Sequence, residues 1–229
     1  MSEPSASVIA LVAARDEEGR IGPTVRALRS IDGVGGVIVA DDGSSDGTAE
    51  EALAAGARVV RSPKGSGKGG ALAAALGRVD GAGAIVLLAD GDLGSSAAAL
   101  RDVLAPVASG RADLAVGVPP RALSGGFGLV RRSSSALIRR ISGLRTTAPL
   151  SGQRAVTVEC LRACLPLAGG FGVDAAMVAD ASRLEFRVVE VPVEFSHRST
   201  ARDLAGFVHR ARQGRDILRA LAPRALGWR

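Results

Sequence analysis

The sequence predicts an α/β domain built on a mostly parallel central sheet flanked by helices. Three observations point there. Short apolar runs alternate with longer helical stretches through the first 120 residues. That alternation asks for right-handed crossovers onto a sheet buried on both faces. Three of the runs also end on acidic residues, at the strand ends where such sheets bind ligands.

Taken in order, Val8–Ala13, Val37–Ala40, Arg58–Arg61, Ala84–Ala89 and Leu114–Val118 read as strands. Gly22–Ile31, Thr48–Ala55, Gly69–Val79 and Ser96–Val107 read as the helices between them. The second half is less regular. Ser124–Gly128 is a glycine-rich loop, and a basic helix follows near Leu129–Ile141. A loop with Pro149 and Gly152 leads to a short helix around Cys160 and another at Asp174–Arg183. Arg187–Phe195 is strand-like, with Pro192 placing it at an edge. Leu204–Leu221 closes the chain as an amphipathic, basic helix. With no internal repeat and no linker, residues 1–229 read as one domain.

Composition narrows the class. With 47% of its 229 residues apolar, the chain can bury a substantial core, and global disorder is excluded. Residues 1–115 hold 11 Lys/Arg against 15 Asp/Glu, a net of −4, whereas residues 116–229 hold 18 against 8, a net of +10. The acidic half suits a cation and the basic half an anionic substrate or surface. A nucleic-acid-binding domain would interleave its basic residues with aromatics, yet the chain has five Phe, one Trp and no Tyr. Cys160 and Cys164 lie four apart, about 6 Å along a helix and too far for an unstrained disulfide. They read as small core residues of a reducing compartment. The run Val8–Ala14 is short for a signal segment and meets Arg15-Asp16-Glu17-Glu18 at once. The expectation is a cytoplasmic protein, with contact of its basic half to the inner face of the membrane left open.

Three motifs carry chemistry. Val37–Ala40 runs into Asp41-Asp42-Gly43-Ser44-Ser45-Asp46-Gly47-Thr48. Asp, Gly and Ser build a tight turn, and Thr48 with Glu51 is placed to form a capping box for the next helix. Turn chemistry does not account for two adjacent carboxylates at a strand end, where they can accept bonds from a base N–H or ribose hydroxyls. Further on, Asp90-Gly91-Asp92 places two carboxylates on one side of an extended segment, within reach of one ribose or one hard cation such as Mg²⁺ or Mn²⁺. Gly65-Ser66-Gly67-Lys68-Gly69-Gly70 is like a phosphate loop but has Ser62 and Gly69 where a Walker A motif needs Gly and Ser/Thr, which excludes that reading. A Lys beside flexible backbone at a helix N-terminus still suits a diphosphate.

Together these residues resemble family 2 glycosyltransferases of the GT-A, Rossmann-like fold. The Asn-Glu after strand one is matched by Asp16-Glu17, with Asp in place of Asn and Ala13 in place of a common Pro. The Asp-Asp-Gly-Ser-x-Asp-Gly-Thr motif stands at Asp41–Thr48, Gly-Lys-Gly-x-Ala at Gly67–Ala71, and Asp-x-Asp at Asp90–Asp92. In the second half, Ser151-Gly152-Gln153-Arg154-Ala155, Gly170–Asp174 and Glu190–Val193 resemble polyprenyl-phosphate sugar transferases, with Ala148 where that group has Asp. Ser196-His197-Arg198, with Arg202 and Leu204, is more similar to glucosyl-3-phosphoglycerate synthases.

The resemblance implies a metal-dependent, inverting transfer from a UDP- or GDP-linked sugar, with residues 1–120 as the donor half and 121–229 as the acceptor half. Ala13, Glu17, Asp42, Lys68 and Asp90 would meet the donor. Asp90, Asp92 and His197 would hold Mg²⁺ or Mn²⁺. Alone, His197 at a strand end is an ordinary surface residue; the metal role comes from the family. A phosphate-bearing acceptor, either an anionic small molecule or a lipid phosphate, would be met by Arg154, Arg198 and Arg202. A hydroxyl acceptor needs a base, for which Asp174 is the candidate, with Lys68 assisting the leaving diphosphate. Arg131, Arg132, Arg139 and Arg140 form either a solvated helix face or a contact for anionic lipid. A rival with the same fold, a sugar-1-phosphate nucleotidyltransferase, expects a glycine-rich arginine loop after strand one, where this chain has Arg15-Asp16-Glu17-Glu18.

Overall fold

In the computed structural model, which describes residues 7–79, 85–119, 128–195 and 204–226, the apolar runs of the first half become β1 (Val8–Ala14), β2 (Val34–Asp41), β3 (Arg58–Arg61), β4 (Ile85–Asp90) and β5 (Leu114–Val118). Helices α1 (Ile21–Arg29), α2 (Thr48–Ala54), α3 (Gly67–Leu76) and α4 (Leu100–Ala108) alternate with them, and a 3-10 stretch, Gly94–Ala99, leads into α4. The second half adds α5 (Gly128–Ser142), β6 (Arg154–Thr157), α6 (Val158–Ala163), α7 (Gly172–Arg183), β7 (Val188–Pro192) and α8 (Leu204–Ala225).

The strands form one sheet in the order β3-β2-β1-β4-β6-β5-β7. Pairing is parallel except around β6, which runs antiparallel to both β4 and β5. The sequence reading contains no strand there. Four residues, Arg-Ala-Val-Thr, headed by a charge and followed at once by a helix, carry too little pattern to announce one. β7 lies at the sheet edge beside β5, as Pro192 requires. The expected glycine-rich loop lies outside the described residues up to Gly128.

Alternate strand residues feed two cores. Ala10, Val12, Val37, Val39, Leu87 and Ala115 face α1, α2 and α4, whereas Leu11, Ile38, Val86, Leu88 and Val116 face α3 and α5–α8. This period of two on a sheet covered on both sides produces the near-continuous apolar strands. Each fully buried Val, Leu or Ile contributes about 2 kcal/mol relative to exposure. Cys160 and Cys164 are free and buried in the second of these cores, as small apolar residues. Their mutual hydrogen bond and their burial push the Cys160 thiol pKa upward. Among the described residues, no helix is long and apolar enough to cross a membrane.

Candidate active site

The exit of β1 is the centre of the site. Parallel pairing sets Ala14 beside Asp41 of β2 and Ala13 beside Asp90 of β4. The next peptides continue the ladder on both sides: Asp42 N donates to Ala14 O at 3.0 Å, and Gly91 N donates to Ala13 O at 2.9 Å. The motifs of β2 and β4 therefore flank one strand end. Ala13, a donor-contact candidate, is half-buried and its carbonyl is spent on Gly91.

On the β2 side, Asp41 is fully buried. Its carboxylate accepts from Ser44 N at 2.8 Å and Ser44 Oγ at 2.5 Å and pairs with Arg61 at 2.9 Å. Burial works against its charge, but the Ser44 bonds and Arg61 outweigh it and hold its pKa below the ordinary value. Asp41 is thus tied into its own turn, whereas the buried Asp42 carboxylate turns to Ser66, Gly67 and Arg15.

The loop after β1 is clipped to the turn after β2. Glu17 N donates to Thr48 Oγ1 at 2.7 Å, Glu18 N to Asp46 Oδ2 at 3.1 Å, and Gly19 N to Glu51 Oε2 at 2.6 Å. Asp16 sits at φ +53°, a conformation that Asp tolerates, and its Oδ1 accepts from Ser45 N and Oγ. The acid can therefore serve where the family has an amide. The capping box expected between Thr48 and Glu51 does not form. Gly47 is the N-cap of α2, and Glu51 instead reaches Gly19 N and Gly22 N at the start of α1.

A single turn of α3 joins the two sides. Asp42 Oδ1 accepts from Ser66 Oγ at 2.8 Å and Gly67 N at 3.0 Å, while Lys68 Nζ lies 2.8 Å from Asp90 Oδ1 and 3.0 Å from Asp174 Oδ2. The α3 N-terminus is therefore no open phosphate cradle. Asp42 takes its first amide, and Gly69 packs so tightly on the Ala168 carbonyl that a Cβ there would overlap it. Burial opposes the Lys68 charge, but Asp174 and Asp90 together raise its pKa above the ordinary value.

The chain entering β6 forms the opposite wall. Gln153 Nε2 donates to Asp90 Oδ2 at 2.8 Å, so both Asp90 oxygens are engaged. A Cβ on Gly152 would fall 2.5 Å from both Lys68 Nζ and Asp90 Oδ2. Arg154 is fully buried, donating to Ser151 O at 2.8 Å and Pro149 O at 3.2 Å, with Asp174 Oδ1 at 3.9 Å. Burial lowers its pKa, opposed by Asp174 and Asp90. Placed there, Arg154 supports the wall from behind and has no surface to offer an acceptor, contrary to the expectation from sequence. Asp174, the base candidate, has one oxygen on Lys68 and the other towards Arg154.

Sequence reasoning passed over Gln153 as a functional side chain, although it lies inside a quoted motif. It also passed over Glu190, which accepts from Thr146 Oγ1 (2.5 Å), Thr147 N (2.7 Å), Thr147 Oγ1 (2.6 Å) and Ala148 N (3.1 Å) and so anchors the segment leading to β6. Burial pushes against the Glu190 charge, and these bonds overcome it to lower its pKa. His197, Arg198 and Arg202 lie outside the described residues.

Residues 9–163, more than half of the chain, match Glycosyl transferase family 2. The chain belongs to this family. It is a nucleotide-sugar-dependent glycosyltransferase of GT-A fold, which sets aside the nucleotidyltransferase and nucleic-acid-binding alternatives. No curated protein matches the sequence. Among solved structures, this family 2 chain is similar to glucosyl-3-phosphoglycerate synthase from Mycobacterium tuberculosis. With Mn²⁺, UDP-glucose and phosphoglyceric acid bound, that enzyme is 29% identical with a TM-score of 0.80, covering 98% of this chain and 81% of that one. With Mn²⁺, UDP-glucose and glycerol 3-phosphate the values are 28%, 0.78, 98% and 81%. With Mg²⁺ and UDP they are 28%, 0.77, 98% and 80%.

Proposed function

We propose that this glycosyltransferase moves a sugar from a UDP-linked donor, with Mg²⁺ or Mn²⁺, onto a small phosphate-bearing acid of the phosphoglycerate kind. The observation that carries the reading is the meeting of Asp42, Lys68 and Asp90 around the exit of β1. It is supported by alignment over 98% of the chain with an enzyme crystallised with Mn²⁺, UDP-glucose and phosphoglyceric acid.

In this reading residues 1–120 hold the donor and 121–229 the acceptor. Glu17 and Asp42 take the nucleoside on the β2 side, and Asp90 takes the ribose on the β4 side. Asp90 and Asp92 are hard oxygen donors, and among the described residues no cluster of three or more His, Cys, Asp or Glu forms a closed cage. That donor set suits an ion that keeps positions for phosphate oxygens and water. Asp90 and Asp92, with His197 from the segment after β7, are the proposed holders. The bound ion would neutralise the departing diphosphate. Lys68 adds a fixed positive charge beside it, pre-set by two carboxylates. Arg198 and Arg202 are the proposed partners of the acceptor phosphate. Inversion by single displacement onto a hydroxyl asks for a base, and Asp174, bound to Lys68, is not free to be one in this state. The inverting course therefore rests on the family alone.

Calorimetric titration of UDP-glucose and GDP-glucose, with and without Mn²⁺, tests the donor. Metal-dependent UDP-glucose binding that Asp92→Ala abolishes without a change in Tm is the expected result; binding of neither sugar nucleotide to folded protein overturns the reading. Incubation with 3-phosphoglycerate, glycerol 3-phosphate or a polyprenyl phosphate then identifies the acceptor by product mass. Transfer to the lipid alone would replace the small acid. The anomeric coupling constant of the product gives the stereochemistry.

A further inference from the structure

Asp92 projects from a turn whose geometry must be set by something other than the sheet, because β4 ends at Asp90. The residue that meets this turn is Thr24, in the first turn of α1 and 67 residues away from Gly91 in sequence. Its side chain is fully buried. Thr24 Oγ1 accepts the Gly94 N–H at 2.8 Å, and it donates its one proton to Gly91 O or to Arg20 O, each at 2.9 Å. One hydroxyl thus bridges the two ends of the four-residue turn Gly91-Asp92-Leu93-Gly94. It stands between the carbonyl of the first residue and the amide of the fourth, the groups that a β-turn joins directly.

The rest of the turn is fixed by other means. Gly91 N is held by Ala13 O at 2.9 Å, and Leu93 is buried in the core against α1 and α4. Gly91 packs closely on β1, since a Cβ there would come within 3.1 Å of Ala14 Cβ. The β1 ladder anchors the start of the turn, Leu93 its middle, and Thr24 joins its two ends. The Asp92 side chain springs from the one residue between the Gly91 carbonyl and Leu93. Any change in how Gly91 and Gly94 are joined rotates it.

We propose that Thr24 is a positioning residue for the Asp92 carboxylate, and that its hydroxyl sets affinity for the divalent ion without touching ion or donor. The inference rests on the metal-dependent donor reading above. Groups that orient a metal-binding side chain from outside the ligand set typically change metal affinity about tenfold to a hundredfold when removed. Thr24→Val keeps the shape and branching of the side chain and removes both hydrogen bonds. Thr24→Ser restores them. Val25→Ala is the control: it opens the same helix at the next core position, also fully buried, and has no bond to the turn.

The test follows free Mn²⁺ by its EPR signal as the ion is titrated into wild type and each variant, with and without UDP, beside a thermal melt of each. Thr24→Val is expected to raise the Mn²⁺ Kd about tenfold, with Thr24→Ser within about threefold of wild type and Val25→Ala unchanged despite a lower Tm. If Thr24→Val does not fold, Thr24→Ala carries the same comparison. Equal Mn²⁺ affinity in wild type and the hydroxyl-free variant overturns the proposal alone. So does an equal loss in Val25→Ala, which would make the effect one of general stability. Failure of folded wild type to bind Mn²⁺ removes the metal-dependent reading, and this proposal with it.

Discussion

Lys68 on α3 and Asp174 on α7 stand 106 residues apart in sequence, and their charged groups meet at 3.0 Å. The same ammonium reaches Asp90 at 2.8 Å, so one cation ties a strand-end acid of the first half to a helix of the second. Lys68→Met is expected to leave the buried Asp174 and the part-exposed Asp90 without their shared partner, costing about 2 kcal/mol in a denaturant titration. Combining it with Asp174→Leu should recover most of that stability while activity stays lost. Recovery of activity together with stability would make Lys68 a strut and nothing more.

Gly152 and Gly169 make a controlled pair. Gly152→Ala places a methyl group against Lys68 Nζ and Asp90 Oδ2, so donor affinity is expected to fall at least about tenfold, with the ion pair rearranged. Gly169 has nothing within 4 Å of the added atom and an ordinary φ. Its Ala variant is expected to stay within about 0.5 kcal/mol of wild type. Calorimetry with UDP-glucose and a thermal melt of both variants decide the matter.

Glu190 sets a pH dependence. Its folded pKa lies below the ordinary 4.5, so its contribution is present above that pH and is lost as pH falls through the folded value. Glu190→Gln is expected to cost about 1 kcal/mol at pH 7, kept small because the carboxylate is half-exposed. It should also flatten the fall in stability as pH drops below the ordinary 4.5. Denaturation midpoints across that range check the sign.

Asp180 of α7 and Arg224 of α8 form a buried pair, with Arg224 Nη2 2.6 Å and Nε 2.8 Å from the carboxylate and Arg224 Nη1 2.6 Å from Ala220 O. Asp180→Asn is expected to cost about 3 kcal/mol, a Tm drop of about 10 °C, with the KM for donor unchanged. The double change Asp180→Leu with Arg224→Met should regain much of the loss, because apolar replacement of a buried pair is often neutral. A raised KM in Asp180→Asn would place the α7–α8 contact in substrate binding.

The first half was legible because β1, β2 and β4 are apolar runs closed by turn motifs, a pattern that local spacing reveals. Side-chain partners were less so. Glu51 has the right spacing to cap its own helix, yet it reaches α1, because the loop after β1 brings unpaired amides within its range. Arg154 was a candidate for the acceptor phosphate, yet the Pro149 and Ser151 carbonyls and Asp174 let it be buried. Thr24 left no mark at all. Its value lies in the packing of α1 beside the β4 exit, a relation between elements that no window of sequence contains.

The reversed strand β6 has a consequence for how this enzyme can diversify. Strands running with β1 deliver side chains to the working edge only as they leave the sheet. β6 arrives from that edge, so the segment ahead of it, including Gly152 and Gln153, touches Asp90 on the way in. Lengthening or recoding residues 143–150 would then alter the wall beside Asp90, while the βα units of the first half keep their register. The wall and the strand-end acids it meets lie on separate stretches of chain, and the first can drift without eroding the second.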